Sequence, residues 1–227
     1  MNPRTRKLRL LRWLPKRLVM TARPRAGRSI YLSFDDGPDP QCTPRLLDLL
    51  AAHGAHASFF LQGDNAEKHP QIVQRMVAEG HLIGNHSYTH PYFDELSLAA
   101  QLDEIERTDR VLARFDGRAQ HRFRPPRGAL PLPLMWHFAR AGRCVAYWSY
   151  DSFDYQRHPA PELAARLRRY PPRPGDIVLM HDDDATTLDA LAMLLPEWRA
   201  AGFTLDALPP ERTRDSHSAH PLQGGVL

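Results

Sequence analysis

From Ser29 onward the sequence alternates short β-rich runs with helical patterns, and this alternation restricts the fold more than any other feature. The runs SIYLSF (29–34), ASFFL (57–61), HLIGN (81–85), HRFR (121–124), RCVAYWS (143–149), DIVLM (176–180) and FTLDA (203–207) read as strands. Helical patterns separate them. One opens with Thr43 as an N-cap and Pro44 at the first helical position, and closes at Gly54. Another runs from Pro70 to Gly80, and a long one over 97–115 has Asp109 as the flaw in an apolar face. Further helices are expected around 131–141, 161–169 and 187–201. Strands alternating with helices predict a parallel sheet with right-handed crossovers. Seven such runs favour a closed or nearly closed barrel over an open sheet. In such barrels the site forms at the C-terminal ends of the strands. The polar clusters DDG, NHSYTH, RPPRG, DSFD and HDD each follow a predicted strand directly, so all five are expected on one face.

In NHSYTH, His86 and His90 stand four apart, a spacing that lets two neutral imidazoles reach one zinc ion. The alternative is a solvated histidine-rich loop. A carboxylate is available from SFDDGPDP, where Asp35 and Asp36 are adjacent and their side chains must diverge. One can bind a metal while the other acts on its water, or the pair can simply solubilise a Gly-Pro turn. Arg124 ends a strand and is followed by two prolines that fix the backbone, which favours an oriented guanidinium that Asp151 and Asp154 could anchor. His181 closes DIVLM with acids beside it that can keep it protonated, as a general acid requires. The other histidines, His121 among them, lack a partner motif and read as non-catalytic.

Taken together, these motifs resemble the polysaccharide deacetylases, the NodB-homology domain of carbohydrate esterase family 4, over roughly residues 29–208. The resemblance implies an α/β fold, a distorted (β/α) barrel with about seven parallel strands, and a divalent cofactor, Zn2+ or a transition metal such as Co2+ or Ni2+. It implies Asp36, His86 and His90 as metal ligands and Asp35 as the catalytic base. It further implies that Arg124 orients that base, that Asp154 braces Arg124, and that His181 is the general acid. Leu179 would wall the acetyl-methyl pocket. Two positions depart from the family pattern: Arg127 stands where RPPYG has tyrosine, and Tyr155 where DxxDW has tryptophan. Both remain candidate substrate-binding residues, and the groove beside Arg127 becomes cationic. The implied reaction is removal of acetyl groups from N-acetylated sugars of a glycan or lipid-linked precursor. An O-acetyl esterase and an inactive sugar-binding domain on the same fold are the alternatives.

Charge divides the chain. Residues 1–28 hold ten Lys/Arg and no acid, while the remaining 199 carry 20 basic and 26 acidic residues, a formal −6. That acidic body argues against nucleic-acid binding. No apolar run reaches 18 residues, so no spanning helix is expected. Basic residues and prolines interrupt every candidate signal-peptide core, so the arm reads as uncleaved and the chain as cytoplasmic. Cys42 and Cys144 read as reduced thiols. On a helical wheel Leu10, Leu11, Leu14 and Leu18 share one side opposite basic residues, which suggests peripheral contact of residues 1–25 with an anionic membrane. The alternative is that these leucines cover the bottom of the barrel. Residues 209–227 lack periodicity and read as a disordered tail.

Overall fold

The computed structural model describes residue 11, residues 13–23 and residues 27–211. Among them are eight strands: β1 Val19–Met20, β2 Ser29–Asp35, β3 Ser58–Leu61, β4 Leu82–Asn85, β5 Val145–Ala146, β6 Tyr150–Asp151, β7 Ile177–His181 and β8 Thr204–Asp206. Every pairing between them is parallel. β2 is the axis of the sheet, whose order is β4-β3-β2-β7-β6, with β8 paired to the start of β2. All of β2 after Ser29 is buried, which is why its sequence is a nearly continuous apolar run.

The ring is not completed by a continuous ladder. Phe123 makes single parallel bridges to Asn85 and Val145, so HRFR contributes one bridging residue where a strand was expected. RCVAYWS breaks in two because it changes partner: Tyr147 N–H donates to Met20 O, whereas Ser149 N–H donates to Ile177 O. The run 145–151 therefore leaves β1 and Phe123 behind and joins β7. The result is a distorted (β/α) barrel.

Two parts of the N-terminal arm belong to this barrel. Val19–Met20 pairs with Val145–Ala146. Leu11, Leu14 and Leu18, read from the wheel as a lipid-facing side, pack instead against a core of Val19, Phe93, Phe123, Leu134 and Phe138. Partly buried there, these three leucines give the membrane contact no support. Residues 1–10, which complete that segment, lie outside the described residues, as do residues 212–227 of the expected tail. The first three residues of that tail are corrected to ordered chain, because Arg122 donates to the Pro209 and Pro210 carbonyls and faces the Glu211 carboxylate. Among the described residues no helix is long and apolar enough to cross a membrane.

The helices mostly follow the expected pattern. Leu98–Asp116 is capped by Ser97, whose side chain accepts from Ala100 N–H, and ends at Gly117 with φ 72°. At Thr43–Ala52 the expected cap fails, because Cys42 occupies the cap position and Thr43 lies inside the helix. Asp39 Oδ1 instead accepts from Gln41 and Cys42 N–H, at 2.8 and 2.7 Å. That frees the Thr43 hydroxyl to donate to Asp182, tying this helix to the loop after β7. The short helix Gly63–Lys68 was not expected.

Candidate metal and catalytic site

The five polar clusters do meet at the C-terminal ends of the strands. Asp35 ends β2 and is in register with His181, the end of β7. Asp36, the next residue, has φ 75°, a left-handed conformation that turns its carboxylate away from that of Asp35. Ser87, His90, Arg127 and Phe153 also have positive φ, so four of the five clusters hold a strained non-glycine residue. Each such position costs about 1–3 kcal/mol, and such residues concentrate at functional sites.

Arg124 is completely buried behind Asp35, and its Nη1 donates to Asp35 Oδ1 at 2.6 Å and to Ser33 Oγ at 3.0 Å. Its guanidinium lies 3.9 Å from the Phe60 ring centre, and Ala146 and Tyr147 carbonyls accept from Nε and Nη2. A buried guanidinium needs this many partners. Asp35 Oδ1 is thus held, and Oδ2 faces His86 Nε2 at 3.7 Å.

His86 and His90 sit in a loop with little freedom. Asn85 Oδ1 accepts from Ser87 N–H, and the Glu104 carboxylate accepts from Tyr88 N–H, Thr89 N–H and the Thr89 hydroxyl. The donor atoms of Asp36, His86 and His90 all lie within 4.8 Å of one another. His86 Nδ1 is 2.8 Å from the Arg124 carbonyl, which fixes the hydrogen on Nδ1 and leaves the Nε2 lone pair facing Asp36 Oδ1 at 3.7 Å. That carbonyl-oriented imidazole is the arrangement a metal-ligating histidine needs. His90 Nε2 approaches the same oxygen at 3.4 Å. Burial, reinforced by His86, pulls His90 below its ordinary pKa and so toward the neutral form that binds metal. Asp36 lies below its ordinary pKa: burial pushes it up, but His86, His90, His181 and Gln62 outweigh burial. Two imidazoles and a carboxylate suit a divalent ion of the zinc type, and three protein ligands leave a position open.

On the opposite side, His181 Nδ1 is 3.0 Å from Asp154 Oδ1, and its backbone N–H donates to Asp154 Oδ2 at 2.6 Å. Ser152, Tyr155 and Thr187 donate to the same carboxylate. The expectation that Asp154 braces Arg124 is therefore corrected: it braces His181. Phe153, with φ 57°, starts a one-turn helix that aims Asp154 at the end of β7, while Arg124 is satisfied by Ser33, Asp35 and the Ala146 and Tyr147 carbonyls. Burial opposes the charge on His181, but Asp154, with Asp35 and Asp36 behind it, raises its pKa to about 10.

Between the two sides lies a cavity of about 470 Å³. Arg127, Tyr155 and Leu179 line it, together with both acids of DDG, His86, His90 and His181. Arg124 and Asp154 stand behind it. The Tyr155 ring meets His181 edge-on at 5.9 Å.

Several residues in the site were not read from the sequence. Gln62 Nε2 donates to Asp36 Oδ1 at 2.8 Å, and Asn65 Nδ2 to the Asp36 carbonyl at 3.0 Å. Both follow ASFFL, so the strand-end rule that located the other clusters would have located these too. Trp148 and Asp151 also line the cavity. Trp148 was read as part of a strand, and Asp151 as an anchor for Arg124. Asp151 Oδ1 accepts from Phe153 N–H instead.

Comparison with known proteins agrees with this geometry. A family model described as polysaccharide deacetylase matches residues 22–143. A chitooligosaccharide deacetylase of Bradyrhizobium sp. (strain ANU 289) is 36% identical over 80% of this chain and 90% of its own. A peptidoglycan-N-acetylglucosamine deacetylase of Bacillus cereus is 34% identical over 87% of this chain and 73% of its own. A solved peptidoglycan N-acetylglucosamine deacetylase, in complex with a naphthalenyl N-oxidanyl-benzamide, superimposes with a TM-score of 0.78 at 32% identity, covering 84% of this chain and 90% of that one. With more than half of its residues inside the family model and the same barrel in a solved relative, the chain belongs to the polysaccharide deacetylase family.

Proposed function

We propose that this protein hydrolyses the acetamide of N-acetylated sugars in a glycan, using a divalent ion held by Asp36, His86 and His90. The observation that carries the reading is a pair of oriented groups lining the same cavity as those ligands: Asp35, held by Arg124, and His181, held by Asp154. Bound there, a zinc-type ion would acidify a coordinated water and polarise the acetyl carbonyl. The chain's own residues supply the rest.

Asp35 Oδ1 is occupied by Arg124, so Oδ2 is the atom left to take a proton from the attacking water. His181 Nδ1 is occupied by Asp154, so Nε2 is the atom left to deliver a proton to the departing nitrogen. Asp36, whose carboxylate Nε2 faces at 3.9 Å, marks that nitrogen as turned inward. Arg127 lines the cavity, and the family resemblance implies that its backbone N–H supports the oxyanion. Leu179 and Tyr155 bound the space for the acetyl methyl and the sugar.

An oriented His181 with Nε2 unoccupied favours amide over ester. An amine leaves only when protonated, whereas an acetyl ester of a sugar hydroxyl asks less of the acid. An inactive sugar-binding domain would tolerate loss of the acid, the base or a ligand, and all are in place here. The relatives named above act on chitooligosaccharide and on peptidoglycan N-acetylglucosamine, so N-acetylglucosamine oligomers are the first substrates to offer. The test is mass spectrometry of such oligomers after incubation with zinc-loaded protein, beside elemental analysis of the metal. Loss of one acetyl mass per event, with metal and turnover both absent in His86→Ala, is expected. Full metal occupancy in His86→Ala would overturn the ligand assignment.

A further inference from the structure

We propose that Arg127 makes this enzyme select glycans carrying an anionic group, a carboxylate or a phosphate, close to the acetylated sugar. The inference rests on the deacetylase reading and narrows its substrate class.

Arg127 lies at the rim of the catalytic cavity and is exposed. Its guanidinium sits 3.9 Å above the ring of Tyr92, itself 54% exposed. Stacking of this kind uses the face of the guanidinium and leaves its N–H edges free. The backbone beneath is fixed: Arg127 has φ 53°, Pro125 and Pro126 precede it, and Gly128 follows with φ 66°. A Cβ at Gly128 would lie 3.1 Å from the Trp148 ring, so the turn is seated closely on the cavity wall. This arginine is therefore a positioned cation on a rigid turn.

Other arginines are already committed. Arg124 is paired with Asp35, Arg157 with Asp183 and Asp184, and Arg143 with Asp109. Among the described residues no carboxylate forms an ion pair with Arg127. A cation kept only for solubility gains nothing from a left-handed backbone, a stacked ring and a place on the cavity wall. At the opening Arg127 presents a free planar edge that matches the two oxygens of a carboxylate or phosphate.

The experiment compares three substrates with the zinc-loaded full chain: chitotetraose, its aldonic acid, which adds a carboxylate at the reducing end, and its 1-phosphate. A charge-assisted contact at a partly exposed site is expected to raise kcat/KM about tenfold for the charged oligomers, mainly through KM, and less at high salt. Arg127→Gln should bring the charged-to-neutral ratio to about one, and Arg127→Lys should keep part of the preference. Equal gain for both charged oligomers assigns the selectivity to charge, and gain for one alone names the group. Calorimetric binding of the three oligomers to Asp35→Asn reads the same ratio without turnover. Equal binding and turnover of all three by the native chain, or a ratio unchanged in Arg127→Gln, would overturn the proposal while leaving the deacetylase reading intact. Absence of turnover with a preserved binding ratio would do the reverse.

Discussion

Two histidines in this molecule, half-buried His181 and buried His121, are held against carboxylates, and their surroundings differ in one respect. His181 has one nitrogen on Asp154 and the other turned into the cavity. His121 has Nδ1 3.3 Å from Asp109 and Nε2 3.0 Å from Asp116, so neither nitrogen is free. Burial opposes the charge on His121, yet Asp109 and Asp116 outweigh it and raise its pKa, as Asp154 does for His181. A raised histidine pKa is thus no mark of catalysis by itself. What distinguishes the two is an unoccupied atom facing a space a substrate can enter. The same contrast separates the acids. Asp35 keeps Oδ2 for the cavity, whereas Asp109 gives one oxygen to Asn85 and His121 and the other to Arg143.

That contrast is open to direct attack by mutation. The largest effect is expected at Asp35. Asp35→Asn should retain metal and fold but lose roughly 10²–10⁴-fold in rate, the usual share of a general base. Asp36→Asn should lose metal affinity itself, by elemental analysis. Equal metal loss in both would mean that the two neighbours do not divide base and ligand between them. Next comes Asp109→Ala, which removes the hub of the closed network. It leaves buried Arg143 without its carboxylate partner and His121 with Asp116 alone, so unfolding by urea should show about 3–5 kcal/mol lost. The surviving folded fraction should still bind metal. A stable Asp109→Ala protein with no activity would reverse the comparison and make this network part of the chemistry.

Much of this arrangement was legible in the sequence, for reasons that can be given residue by residue. Parallel strands buried on both faces leave continuous apolar text, and the polar residues that end them then stand out, as Asp35, His86 and His181 do. The ligand spacing in NHSYTH is local, so it survives reading in one dimension. Pairings across the barrel do not. Asp154 and His181 are 27 residues apart, and Asp154 lies almost as near Arg124 in the text, so sequence order offered no way to choose between them. Asp109 looked like a flaw in an apolar helix face because its partners, Asn85, His121 and Arg143, come from three other segments. β1 was missed because a two-residue strand inside a basic arm has no periodicity to detect.

The smallest effects are expected in pH dependence, and they separate the two histidines most finely. His121 has a folded pKa raised above the ordinary 6.5. Its contribution to stability is therefore fully present below about pH 6.5 and is lost as pH rises through the folded value. His121→Gln should flatten that alkaline decline in urea midpoints without moving the pH profile of kcat. His181, with its pKa raised to about 10, should stay protonated across the neutral range, so the alkaline limb of kcat lies well above pH 6.5. Asp36 is among the acids that raise it, and its charge is the one a bound cation would cancel, which sets the limb below the metal-free value. Asp154→Asn removes the first partner of His181 and should move the limb down toward 6.5 at constant metal content. The outcome that breaks the comparison is a limb that follows His121→Gln and ignores Asp154→Asn. The protonated histidine that matters for turnover would then be the enclosed one.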